Sequence, residues 1–334
     1  MTSVTVSACG MSSAIGLTAP AACAALRARL SNFQETRFVA SDGEWILGAE
    51  APLPDSARGV TRLCQLLFGP LRDCIEASGM EATEIPILLC LAEQDRPGRI
   101  PGLEEILSRR LFQEIGELHE ASRFYADGGV GGVVALRDAK GLIEDGAPAV
   151  IIAGVDSYLS GATLRAFEAE DRLMTASNSN GFFPGEAGAA VLLTPGDGEL
   201  RLAGLGFGAE AGSILSDEPL KGHGIAQAMK QALDEAGLIY EEISYRLADL
   251  SGEQYYFREA ALGQLRLWRG KGDPEPVWHP ADGMGETGAA VIPICLGFAL
   301  TAAQKHYAPG PIALLHAAHD DGRRAAIVMR SEGS

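Results

Sequence analysis

The sequence predicts an α/β fold in which strands and helices alternate through two similar cycles, and three observations carry that expectation. Short, near-continuous apolar runs, such as residues 85–91 (IPILLCL) and 149–154, fit strands covered on both faces. Between such runs lie segments with apolar residues at helical spacing, as Leu63, Leu66, Leu67, Leu71 and Ile75 show across residues 61–77. Each half of the chain runs through a similar order of elements, with no low-complexity linker between them. One globule with an internal repeat follows, its halves being residues 1–197 and 198–334.

In the first half, residues 4–8 read as a strand, 10–16 as a loop and 20–30 as an Ala-rich helix with Pro20 early, where proline is tolerated. Residues 45–49 suggest a strand, 94–102 a loop and 103–115 a helix. The AGAAVLLT segment, residues 187–194, closes the half as a strand. In the second half, strands are expected at 201–211, 245–250, 276–279, 312–316 and 325–329. Helices are expected at 224–236, where Gly237 is a fitting terminator, and at 254–268.

The centre of the chain is the stretch 124–160, FYADGGVGGVVALRDAKGLIEDGAPAVIIAGVDSYLS. Gly128, Gly129, Gly131 and Gly132 crowd a strand-to-helix junction, where backbone N–H groups and the positive end of a helix dipole converge. A nucleophile at such a helix start would be activated. The turn has no Cys, Ser or Thr. The glycine spacing matches neither a dinucleotide fingerprint nor a P-loop, so close strand–helix packing is the simpler account, and no cofactor is expected.

A net charge of −17 argues against a nucleic-acid surface, which needs basic residues to meet phosphates. The six cysteines, Cys9, Cys23, Cys64, Cys74, Cys90 and Cys295, are scattered without CxxC or metal spacing, and read as reduced core residues of a cytoplasmic protein. Residues 287–304 carry no charge, but Gly288, Pro293 and Gly297 and few large aliphatics favour a helix buried within the fold over a membrane span. His316 and His319 flank a turn without a third ligand, so no metal site is assigned, and His119, His223 and His306 read as surface or satisfied histidines. Tyr255, Tyr256, Phe257 and Trp268 cluster on one expected helix, as core or subunit contacts.

Four segments resemble the thiolase superfamily, and within it the β-ketoacyl synthases. Residues 4–16 (VTVSACGMSSAIG) look like the opening strand and loop of that family, and residues 180–193 (NGFFPGEAGAAVLL) are similar to its D-G-F-x-x-G-E-G-A-G stretch. Residues 282–289 (DGMGETGA) sit where the family has G-H-x-x-G-x-x-G-A, and residues 321–328 (DGRRAAIV) look like its final G-G-x-N-A-x-x-V strand. The resemblance implies a five-layered αβαβα fold of two pseudo-repeated halves, and a homodimer or pseudo-dimer paired through the N-terminal sheet.

The family's reaction takes the acyl group onto a Cys at the central helix start, with two His, or a His and an Asn, assisting. By resemblance, the Cys position falls at or next to Gly129, and the N-A-H-G-T pattern aligns with residues 249–253, giving Ser251 for the first His. The second falls at Asp282, three residues before Gly285, and His319, Asp320 and Asp321 replace the phenylalanine gate. Condensation by the family mechanism is therefore not expected.

A new polar pocket of Asp127, Asp249, Ser251, Glu253, His279 and Asp282 is the functional reading of what remains. The structural reading gives the acids ordinary tasks, with Asp282 capping the long helix and Glu253 lying at a helix start. The favoured function is a non-catalytic scaffold, adaptor or accessory subunit with a protein partner. It is closer to the thiolase-like accessory proteins found with type VI secretion effectors than to chain-length factors, which are longer in their loops. The alternative is an acyl-transfer or hydrolytic enzyme using Ser251 or Asp282, with His279 as the base for Ser251.

Overall fold

The repeated order of apolar runs becomes two five-stranded halves of matching topology, joined at β1 and β8 into one ten-stranded sheet. The computed structural model describes residues 2–270 and 275–331. The first half contains β1 (Val4–Ser13), α1 (Ala19–Arg27), β2 (Gln34–Val39), β3 (Trp45–Gly48), α2 (Gly59–Ser78), β4 (Ile87–Cys90) and α3 (Leu103–Ile115). It continues through β5 (Arg123–Tyr125), α4 (Gly131–Glu144), β6 (Val150–Ser157), α5 (Gly161–Ala169) and β7 (Glu186–Pro195). The second half contains β8 (Leu200–Ala209), α6 (His223–Ala236), β9 (Tyr245–Ala248), α7 (Gln254–Leu267) and β10 (Val277–Trp278). It ends with α8 (Ala281–Met284), α9 (Val291–Gln304), β11 (Ile312–Ala318) and β12 (Arg323–Ser331). The 197/198 division drawn from the sequence falls in the turn joining β7 to β8.

Strand order is β10-β9-β11-β12-β8-β1-β7-β6-β4-β5, with β1 and β8 meeting through the pair Thr5 and Arg201. In each half three strands run parallel (β5, β4 and β6; β10, β9 and β11), followed by two antiparallel neighbours. The central layer is α4 and α9, which touch each other and strands of both halves of the sheet, while α2 and α3 cover one outer face and α6 and α7 the other. These are the five layers of a thiolase-like fold. Each layer exists because a sheet with two apolar faces needs a helix on both.

Several boundaries differ from the sequence reading. Residues 10–13 continue β1 rather than forming a loop, because Gly10 runs against the backbone of Pro70 in α2, where a Cβ would lie 2.4 Å from the Pro70 Cα. The β2 strand and α5 carry weak patterns and were not expected. The uncharged stretch forms α9, buried from Val291 to Ala303, and among the described residues no helix is long and apolar enough to cross a membrane. All six cysteines are free thiols.

The crossing of α4 and α9 depends on Gly132, where a Cβ would lie 2.4 Å from the Ile292 Cβ. Gly132→Ala is expected to push the central helices apart and cost roughly 1–3 kcal/mol, read as a lowered urea midpoint with an unchanged slope.

Candidate functional site

The two central helices begin alike, which is where the internal repeat becomes chemistry. A single 3₁₀ turn precedes each: Asp127 (φ −118°) leads into Gly128 (φ +53°) before α4, and Thr287 (φ −117°) into Gly288 (φ +49°) before α9. Left-handed φ favours glycine at both places, and crowding reinforces it. A Cβ at Gly288 would meet Asp156 Oδ2 at 2.1 Å, and one at Gly128 would meet Glu93 Oε2 at 2.7 Å.

Both helix starts face one cavity of about 60 Å³, whose lining includes Gly129, Asp249, Ser251, Glu253, Glu286 and His319. A Cβ on Gly129 would stand 3.3 Å from the Ala318 carbonyl oxygen and 3.8 Å from Asp249 Oδ2, so a side chain there would press on the Ala318 backbone, and the position carries none. The Glu286 carboxylate accepts the Gly288 N–H at 2.8 Å, and Ser251 lines the same cavity. Asp249 Oδ2 accepts the Ala318 N–H at 2.6 Å.

Three of the six residues expected in a polar pocket, Asp249, Ser251 and Glu253, line this cavity, together with Gly129. Asp282 and His279 do not. Asp282 lies in the short α8, and its exposed carboxylate pairs with His279 Nδ1 at 3.2 Å on a separate surface groove. The helix pattern had placed Asp282 as the cap of the long helix, but α8 and the Gly285 turn intervene, and the acid carried inward is Glu286. His279 lines that groove rather than the cavity that holds Ser251, its ring edge-on to Phe257 at 5.6 Å. Asp127 points away from the cavity to pair with Arg323. Glu253 is the N-cap residue of α7 but makes no side-chain cap bond, and holds Arg172 instead.

Two arginines that sequence patterning had not singled out define the cavity's limits. On the inner side, Arg96 donates to Asp156 at 2.8 Å and to Glu93 at 2.7 Å, and lies 4.2 Å over the Tyr158 ring. It lines both this cavity and a second one of about 110 Å³, walled by Leu63, Ile100, Leu103 and Leu159. On the outer side, Arg172 donates to Glu253 at 2.8 Å and to Asp320 at 2.5 Å, 5.0 Å over the Phe167 ring. Beyond Arg172 lies an open cleft bordered by Ile214 and Leu215. Tyr256 also donates to Asp320, so α7 contributes an aromatic to the wall. No single-sequence signal marks an arginine that pairs with acids 60 to 148 residues away.

Electrostatics follow from these pairings. Burial pushes Asp249 up to about 8, with Glu286 adding to the shift and the Ala318 N–H only partly offsetting it. Burial likewise raises Glu286, with Ser251 and the Gly288 N–H partly offsetting it. For Glu93 burial is outweighed by Arg96, which holds the carboxyl below its ordinary value. At neutral pH, Asp249 is thus held mainly as the neutral acid. His316, buried with its Nε2 unpartnered, is kept neutral by burial and by Arg246. Among the described residues no cluster of three or more His, Cys, Asp or Glu side chains is arranged to hold a metal ion.

A raised folded-state pKa means that stability is lost as pH rises from the unfolded value toward about 8. Asp249→Asn keeps the acceptor and removes the charge. Its stability relative to the parent is expected to grow by roughly 1–3 kcal/mol between pH 6 and pH 9, as measured by urea unfolding at both values.

No family model matches the chain. In sequence it is 26% identical, over 204 residues, to polyketide β-ketoacyl synthase 2 of Streptomyces cyaneus; the aligned region is 56% of this chain and 49% of that protein, so the chain spans about half the length of that relative. In structure it superposes with a TM-score of 0.78 on a chain of the ketosynthase–chain length factor complex of Xenorhabdus doucetiae, at 17% identity, covering 99% of this chain and 98% of that one. A β-ketoacyl synthase from Burkholderia phymatum matches with a TM-score of 0.71 and 15% identity, covering 99% and 100%. A ketosynthase crystallised with its acyl-carrier protein matches with a TM-score of 0.82 at 15% identity, covering 99% of each chain. The chain therefore has the thiolase-like fold of the β-ketoacyl synthases, matched along almost its whole length in structure and over about half of it in sequence.

Proposed function

We propose that this chain is a non-catalytic ketosynthase-like protein that acts as a protein-binding accessory subunit. The observation that carries the reading is the cavity at the paired helix starts. The place for a nucleophile there is a bare Gly129, the facing side chains are Ser251 and Glu286, and arginine–carboxylate pairs border the space. At about 60 Å³ the cavity holds a few waters. Ligand pockets run to roughly 300–1,000 Å³, so a pantetheine arm with an acyl chain has no room. A neutral Asp249 and a buried Glu286 also lack the fixed positive donors that polarise a thioester carbonyl.

For the partner, the edge strand β5 is the natural point of contact. It pairs with β4 alone, and an unpaired edge is a template for another chain. A second thiolase-fold chain adding its own edge there would extend the sheet, as a homodimer or with an active synthase. The solved relatives described as a ketosynthase with its chain length factor support pairing with a protein partner. Loading of a secreted effector is the accessory role that the sequence resemblance favours.

The enzymatic half is tested by incubating the protein with acetyl and malonyl thioesters and measuring intact mass. No adduct is expected, and an ester on Ser251 would overturn the reading. Affinity capture from the native host, with residues of β5 replaced by proline as the control, tests the partner. Retention of the same partner by the proline variant would exclude the β5 edge as its contact.

A further inference from the structure

A second site lies away from the central cavity, and it is independent of the reading above. Where α1 ends beside β10 and α8, a groove of about 530 Å³ opens on the surface. That volume falls within the roughly 300–1,000 Å³ of ligand pockets. Its floor is aromatic. Trp278 packs 5.0 Å from Phe298 and 6.4 Å from Tyr307, with Tyr245 4.8 Å away, measured between ring centroids. Trp278 and Tyr307 are only half-buried, so each leaves ring surface facing the groove.

The rim is basic. Arg27 lies 4.4 Å over the Tyr307 ring, and Arg29 follows in the left-handed region at φ +54°. The turn that ends α1 fixes this geometry, through Arg29 N–H to the Leu26 carbonyl and Leu30 N–H to the Ala25 carbonyl. Both arginines are exposed and line the groove, and neither forms an ion pair with the described residues. Lys305, two residues before Tyr307, adds a further exposed positive charge nearby. The acid on the lining, Asp282, is already engaged with His279. In a chain carrying 44 acidic against 27 basic residues, such a local excess of guanidinium is set against the overall field.

We propose that this groove binds a nucleotide-class ligand, a planar aromatic ring carrying one or two phosphates. The ring lies against Trp278, and Arg27 and Arg29 hold the phosphate. Guanidinium forks match phosphate oxygens in pairs, and an indole face is the strongest stacking partner among side chains. His279, fixed by Asp282, borders the space where a base or sugar would present hydrogen-bonding groups. Charge decides against a longer polyanion. Two guanidinium groups balance one nucleotide, whereas the net −17 of the chain repels a strand.

The test follows tryptophan fluorescence and heat on titrating the full chain with adenosine 5′-monophosphate, adenosine and inorganic phosphate at low salt. The nucleotide is expected to saturate the signal, with adenosine and phosphate each binding at least tenfold more weakly. Arg27→Ala/Arg29→Ala is expected to weaken the nucleotide at least tenfold without changing the melting temperature, since both side chains are exposed. Trp278→Leu should abolish the fluorescence change, whereas Trp45→Phe and Trp268→Phe should keep it. Absence of saturable nucleotide binding, or undiminished binding by the double arginine variant, overturns the proposal. Phosphate binding as tightly as the nucleotide also overturns it, since that outcome describes an adventitious anion site only.

Discussion

Gly129→Cys is expected to convert a chain that takes up no acyl group into one that takes up one acetyl group from a small thioester. The built Cβ has its nearest contacts at 3.3 Å and 3.8 Å, and the closer one is the Ala318 carbonyl oxygen, so a thiol fits once that backbone gives by a few tenths of an ångström. It would sit at a helix start, where the N–H groups and dipole favour the thiolate. Against that, Asp249 stands beside it, and any ionised fraction of this acid would raise the thiol's pKa. Adding Asp249→Asn should therefore speed modification above about pH 8, where the acid is ionised, and change it little at neutral pH. Background labelling should be low, because burial raises all six native thiols, Cys9 to about 12. Intact mass and peptide mapping after timed exposure read the result. A folded Gly129→Cys variant that stays unmodified would show that the cavity does not admit even a two-carbon reagent.

Arg96→Ala is expected to lower stability by roughly 3–5 kcal/mol, the range for removing one partner of a buried ion pair. The loss is large because two acids are stranded at once. Asp156 keeps only its bonds from the Ser157 and Ala289 N–H groups, and Glu93 loses both guanidinium contacts. Arg96→Met restores bulk without charge and should remain well below the parent. Arg96→Met/Asp156→Asn should recover a substantial part of the deficit, because the stranded charge is gone. Urea midpoints for the three variants separate the packing loss from the charge loss. Equal stability of Arg96→Ala and the parent would remove Arg96 as the wall between the two cavities.

Much of the frame was legible because it rests on local periodicity. The glycine-crowded junction, the uncharged helix and the apolar strands each signal their place through neighbouring residues, and α3 and α7 fall within one residue of their expected spans. The site was only half legible. Asp249, Ser251 and Glu253 follow directly after β9, so their position is a short-range consequence of where that strand ends. Asp282 and His279 failed because a one-turn helix and the Gly285 turn shift the register by a few residues, exchanging an inward acid for an outward one. A spacing pattern spread over glycines tolerates such a slip without visible penalty.

By itself the sequence determined the layered α/β architecture and the absence of a reactive side chain at the central helix start, since apolar spacing and residue identity are local properties. Tertiary structure alone decided that Glu286 and Ser251 line one cavity, that Arg96 and Arg172 border it, and that Arg27 meets Trp278 and Tyr307 across a groove. Those partners lie tens to hundreds of residues apart. Their pairing is set by how the two halves of the sheet close over α4 and α9, and no local pattern in the chain encodes it.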